Sequence, residues 1–233
     1  MKKRLSTLFL VLAIAVPSAF AQVEVGATLD LYSQYHWRSG MLGYGPSIQP
    51  GISVGLGKLS ISAWGNYTLD KLAYNVPAGV TAGPAKEIDL IAAYELGLGN
   101  AGSLAVGATD YFVFADDDTY QTIELNATWS GPENFPLSIN GNLNVSGDDD
   151  KSNYLQVKYP ITRNNLTFEI VGGGTFGKSA YYGTDKAGLT ELGLNLSKEV
   201  KLGPLPATVI LKLVANPSTE DFFLPMVGIS LSK

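Results

Sequence analysis

Cysteine is absent from all 233 residues, so disulfides and thiolate metal sites are excluded from the start. Histidine occurs once, at His36, and charged residues make up only 16% of the chain. The charge present leans acidic. Without the N-terminal Lys2, Lys3 and Arg4, thirteen of the 16 basic residues remain against 21 acidic ones, a formal charge of −8. No basic stripe is available to neutralise phosphates, which argues against nucleic acid as a partner. No G-x-S-x-G, H-E-x-x-H or Walker pattern occurs. Long apolar runs are also missing after Ala21, although 45% of the residues are hydrophobic. A helical span needs about 18 or more consecutive apolar residues, so none is expected in that region.

What is present begins with an export pattern. Lys2, Lys3 and Arg4 precede a short apolar stretch from Leu8 to Val16, and Pro17 then leads to Ala19 and Ala21 in A-x-A spacing. This combination predicts a signal peptide over 1–21, cleaved after Ala21, and a single mature domain over 22–233.

Period-two alternation fills the mature chain. Val23, Val25, Ala27, Leu29 and Leu31 interleave with Glu24, Gly26, Thr28, Asp30 and Tyr32. Leu137, Ile139, Gly141, Leu143 and Val145 interleave with Ser138, Asn140, Asn142 and Asn144. Regularly spaced Asn and Ser do not suit a dry core, but they suit a wet lumen opposite a lipid-facing wall. The expected fold is an all-β antiparallel transmembrane β-barrel of about twelve strands, with eight to fourteen as the range. The predicted strands are 23–36, 47–56, 58–68, 86–97, 102–114, 119–130, 135–145, 152–160, 165–176, 187–198, 206–215 and 220–231. A water-soluble β-sandwich would share the alternation but not polar faces on every strand.

The connections alternate in character. Leu56-Gly57, Gly97–Asn100, Gly131–Asn134, Ile161–Asn164 and Leu202–Leu205 read as plain turns. Leu69–Ala85 and Gly177–Lys186 are longer, as outside loops of a barrel with both termini in the periplasm should be. Tyr35, Trp37, Tyr67, Trp129 and Phe135 are predicted to form aromatic girdles at the two membrane interfaces. The triplets Asp116-Asp117-Asp118 and Asp148-Asp149-Asp150 are calcium candidates by carboxylate density. They lack the alternating spacing of a helical calcium loop, and consecutive Asp at a hairpin tip also serves as a solvated turn.

The lumen register carries the functional expectation. Inward candidates are acidic Glu24, Asp30, Asp89, Glu95, Glu124, Glu169 and Glu191, basic Arg38, Lys58, Lys158 and Lys212, together with His36 and Trp64. The acidic excess predicts a weakly cation-preferring path if the lumen is open. Trp64 either stacks on a ligand or fills volume. Gly172-Gly173-Gly174 lies mid-strand and suits a bend in a barrel wall rather than a phosphate loop.

The stretch Ser33–Tyr67 contains Ser33, Tyr35, Trp37 and Arg38, then Pro46, Gln49 and Pro50, then Ala63-Trp64-Gly65. It resembles the opening hairpins of the TorF-type porin family, with Ser39 where that pattern has Gly. The resemblance implies an outer-membrane location and a pore, without a defined substrate. The chain ends Ser230-Leu231-Ser232-Lys233, lacking the terminal aromatic common among outer-membrane barrels. Three functional classes follow: a small channel for passive or substrate-selective diffusion, a structural or adhesive barrel with a plugged lumen, and a membrane-embedded lipid hydrolase. The expected partners are outer-membrane lipids, the barrel-assembly machinery and a small solute. No cofactor is expected.

Overall fold

Residues 23–38, 40–43, 45–71, 84–115, 118–218 and 221–232 are described by the structure, a computed structural model. The predicted signal peptide, the Asp116-Asp117 pair and residues 72–83 of the long third connection lie outside them.

Fourteen strands follow one another: β1 (Val23–Tyr32), β2 (Tyr35–Trp37), β3 (Gly40–Gly43), β4 (Ser47–Leu56), β5 (Leu59–Lys71), β6 (Pro84–Gly97), β7 (Ser103–Ala115), β8 (Asp118–Ser130), β9 (Ser138–Ser146), β10 (Asn153–Arg163), β11 (Leu166–Thr175), β12 (Gly188–Leu202), β13 (Leu205–Asn216) and β14 (Asp221–Ser232). Twelve of them close into one antiparallel barrel in sequence order, and β1 pairs with both β4 and β14. β2 and β3 form a separate two-stranded ribbon. Closure pairs the backbone groups that an open sheet edge would leave without partners.

Alternation explains why each strand takes its orientation. Val25 is 68% exposed and Ile52 55%, on the same outer wall as Leu125, Leu143, Ile170 and Leu192. On the opposite face Asp30 pairs across to Gln49, Ser53 to Ser62, Glu124 to Asn144, and Asn195 to Lys212. A soluble protein would reverse this pattern, with its apolar side chains in the core.

The even-numbered connections are tight. Gly57-Lys58 and Gly203-Pro204 are two-residue loops with glycine at positive φ in first position, which suits the twist of the flanking strands. Asn164-Asn165 makes the third, with both residues at positive φ, a conformation Asn tolerates best among non-glycine residues. The odd-numbered connections include 147–152 and 176–187, which identifies the end of the barrel at which longer loops gather.

The closing seam is uneven. β1 pairs with β4 from Val23 to Tyr32, whereas its pairs with β14 run only from Thr28 to Tyr32, where Thr28 meets Ser232.

Candidate functional site

The first predicted strand, 23–36, ends at Tyr32 instead. There the Ser33 backbone N–H donates to the Val227 carbonyl at 2.8 Å, and the Val227 N–H donates to Ser33 Oγ at 3.1 Å. The chain then leaves the wall, and the β2–β3 hairpin turns into the lumen at its long-loop end. Tyr35 and Trp37 therefore do not belong to a lipid-facing girdle, which corrects the expectation for both. Tyr35 is only 3% exposed, and its hydroxyl donates to Glu87 Oε2 at 2.6 Å. Its ring lies 5.8 Å from that of Trp64 on β5. Apolar-polar alternation continued through Tyr35-His36-Trp37, but the Tyr35 and Trp37 side chains find partners on the inner walls of β5, β6 and β7.

Arg38 stands at the hairpin tip with φ of 51°. Its Nη2 donates to both carboxylate oxygens of Glu124 on β8, at 2.9 and 2.8 Å, and Nη1 donates to the Tyr182 hydroxyl. Tyr111 on β7 donates to the same carboxylate at 3.0 Å. The guanidinium carbon lies 4.3 Å from the Trp37 ring centroid and 4.8 Å from that of Tyr154. Trp37 stacks on Tyr182 at 5.8 Å with 12° between planes. A guanidinium suits this setting, since its plane stacks on rings while its edge binds a carboxylate.

The ninth connection closes over the hairpin. Tyr181 and Tyr182 reach Trp37, while Ser152 Oγ and Ser179 Oγ meet at 2.6 Å and Ala180 N–H donates to Asp150 Oδ2 at 2.8 Å. Asp148 accepts from Asn144 Nδ2, Asp150 N–H and Ser152 N–H. Burial acts against its charge, but the donors from Ser152, Asn144 and the backbone outweigh it and hold the carboxyl below its ordinary range. Asp148 and Asp150 thus spend oxygens on loop structure, and among the described residues no cluster of three or more metal-ligating side chains occurs.

Glu124, Asp89, Trp64, Asp30, Glu169, Glu191, Lys158, Lys212 and Glu24 all share the inward register of their strands. Glu95 shares it too, but it is exposed at the short-turn end beside Lys58. Lys58 sits in the Gly57-Lys58 turn rather than on the wall, because β4 and β5 need only two residues to reverse. His36 rides on the hairpin, its Nε2 2.9 Å from Gln34 Oε1. Tyr67 is 43% exposed on the outer wall, with Lys86 Nζ 5.8 Å from its ring, and Phe135 is exposed near Tyr159. Trp129 donates its indole N–H to the Ala101 carbonyl at 2.9 Å.

Several participants escaped sequence reasoning. Glu87 lies two residues before Asp89 on the same face of β6, a spacing that was available as a signal. Tyr111 and Tyr154 share the inward register, where aromatic type hid them among polar neighbours. Tyr181 and Tyr182 are in a loop with no periodicity to reveal them.

Below the hairpin a cavity of about 430 Å³ opens in the lumen. Thr28, Gln49, Ser53, Ser62, Trp64 and Asp89 line it, with Tyr35, His36 and Trp37 above. Lumen charge is segregated: Glu87, Asp89 and Glu124 stand on β6 and β8, while Lys158 and Lys212 stand on β10 and β13 beside Glu169 and Glu191. Tyr154 and Gln156 both donate to Glu191 Oε2 at 2.7 Å, and Gly173 leaves the room that the Tyr154 hydroxyl occupies.

No family model and no curated protein matches the chain. Solved structures do resemble it. The KdgM porin aligns with a TM-score of 0.54 at 9% identity, covering 88% of this chain and 98% of its own. The NanC porin aligns at 0.52 and 11% identity, covering 90% and 98%. The COG4313 outer membrane channel from Pseudomonas putida F1 aligns at 0.52 and 10% identity, covering 94% and 98%. At such identities the likeness establishes a shared fold: the closed twelve-stranded antiparallel barrel of porins.

Proposed function

We propose that this chain is an outer-membrane channel for small hydrophilic solutes, narrowed at one end by an inward-folded hairpin. The observation that carries the reading is the partly empty lumen: a closed barrel with an apolar exterior holds a cavity of about 430 Å³ where hydroxyl, amide and carboxyl groups stand among aromatic and aliphatic side chains. The apolar exterior supports a membrane location, and the short-turn and long-loop ends support termini on the periplasmic side. Export by cleavage after Ala21, membership of the TorF-type porins and a weak cation preference belong to the same proposal.

Reconstitution into planar bilayers tests it. The expected outcome is stepwise conductance below that of a wide sixteen-stranded porin, because twelve strands enclose a smaller lumen. A folded protein that conducts nothing would overturn the channel reading. The buried Arg38–Glu124 contact favours a second reading for that case, a barrel whose hairpin is a permanent plug. A lipid hydrolase has little support, since His36 faces the lumen and engages Gln34 rather than a serine on the lipid side.

A further inference from the structure

Asp89 is only 7% exposed, and its Oδ1 has no hydrogen-bond partner. The residue lines the lumen cavity. An acceptor desolvated without a donor costs on the order of 1–3 kcal/mol, more when charged, so a group in this position takes a donor, either a proton shared with a neighbouring carboxyl or an N–H from a bound solute. Glu87 lies within hydrogen-bonding reach of it on the same strand. Two carboxylates this close repel unless a proton or a cation lies between them. Among the described residues neither forms an ion pair, and the one donor from the hairpin, the Tyr35 hydroxyl, goes to Glu87.

The remaining walls supply the other half of a cation site. Trp64 and Tyr35 meet at 45° between planes, and Trp37 joins them at the upper rim. Aromatic faces attract cations, most strongly where water is excluded. Lys158 and Lys212 stand on other strands and do not line this cavity. About 430 Å³ falls within the range of roughly 300–1,000 Å³ usual for small-molecule sites.

We infer that this chamber binds a small organic cation, an amine or guanidinium compound, whose N–H donates to Asp89 while its charge rests against Trp64 and Tyr35. Gln49, Ser53 and Ser62 then serve polar groups elsewhere on the solute. The inference deepens the channel reading and rests on it for the route by which a solute arrives.

Calorimetric titration of the detergent-solubilised full-length mature protein with agmatine tests it, with glucose and gluconate as neutral and anionic controls. Agmatine should bind and the controls should not. Asp89→Asn should weaken agmatine by roughly tenfold or more, and Trp64→Leu by roughly threefold or more, consistent with one charge-assisted hydrogen bond and one cation–ring contact. Glu133→Gln, in a turn remote from the chamber, should leave binding unchanged. Absence of agmatine binding, equal binding of glucose, or full affinity in a folded Asp89→Asn protein would each overturn the inference. Should Asp89→Asn fail to assemble, the wild type decides it: agmatine bound with neither control bound upholds the inference, and either control bound as tightly as agmatine refutes it. Conductance recorded in parallel separates the two readings. Agmatine binding without conductance upholds the site and removes the channel, whereas conductance without agmatine binding does the reverse.

Discussion

Arg38 and Glu124, 86 residues apart in sequence, meet inside the barrel, where Nη2 donates to both carboxylate oxygens at 2.9 and 2.8 Å. Their side chains are 10% and 2% exposed. The contact ties a hairpin that belongs to neither wall onto β8, the strand that also receives the Tyr111 hydroxyl.

Breaking that tie should release the hairpin. Glu124→Gln leaves a guanidinium without its counter-charge, at a cost of about 2 kcal/mol or more. The expected outcomes are a lower unfolding temperature in detergent and a larger or noisier single-channel current. Adding Arg38→Ala to Glu124→Gln should recover part of the lost stability, because the uncompensated charge is then gone. An additive double mutant would show that the two residues do not couple.

Selectivity should follow the carboxylates that form no salt bridge among the described residues. Asp30 on β1 has a buried Oδ1 without a hydrogen bond, whereas the Glu124 charge is offset by Arg38. Asp30→Asn should reduce any cation preference measured by reversal potential under a salt gradient, more at low ionic strength than at high. Glu124→Gln should act mainly on conductance. An unchanged reversal potential for Asp30→Asn would remove this residue from the conduction path.

Orientation is testable by labelling. Cysteine at Asp149 or Asp185, in the seventh and ninth connections, should react with an impermeant thiol reagent on intact cells. Cysteine at Asn100 or Glu133 should stay unlabelled until the outer membrane is opened. The reverse result would invert the barrel.

The loops around Asp148 should loosen in acid. Its carboxyl titrates lower in the folded protein than in the unfolded chain, so its contribution is fully present above the ordinary carboxylate range, near pH 4. That contribution is lost as pH falls through the depressed value. Limited proteolysis between pH 7 and pH 2.5 should find the 147–152 segment resistant until below about pH 4. Asp148→Ala should make it sensitive at every pH. Equal resistance in the variant would deny the carboxylate this role.

The barrel was legible because an apolar outer wall and a polar lumen impose opposite demands on alternate residues, and each strand records both. The segment 47–56 coincides with β4, and the predicted count matches the closed sheet. The hairpin was not legible, since Tyr35-His36-Trp37 prolongs the alternation of β1 without a break. Whether such a segment continues up the wall or folds inward depends on Glu87, Glu124 and Tyr182, which lie far along the chain. Lys58 failed for a simpler reason, because a lysine beside a turn glycine belongs to the turn. Asp148 was read for its density of charge, while its role depends on Asn144 and Ser152 donating to it.

The uneven seam bears on how the cylinder is completed. β14 meets β1 only from Thr28 upward, so the stretch of β1 below Thr28 is bonded on its β4 side alone among the described residues. Among the described residues the join between β1 and β14 has the fewest rungs of the closed sheet. The same join should be the first to part when the cylinder comes undone, and amide exchange should run fastest from Val23 to Ala27.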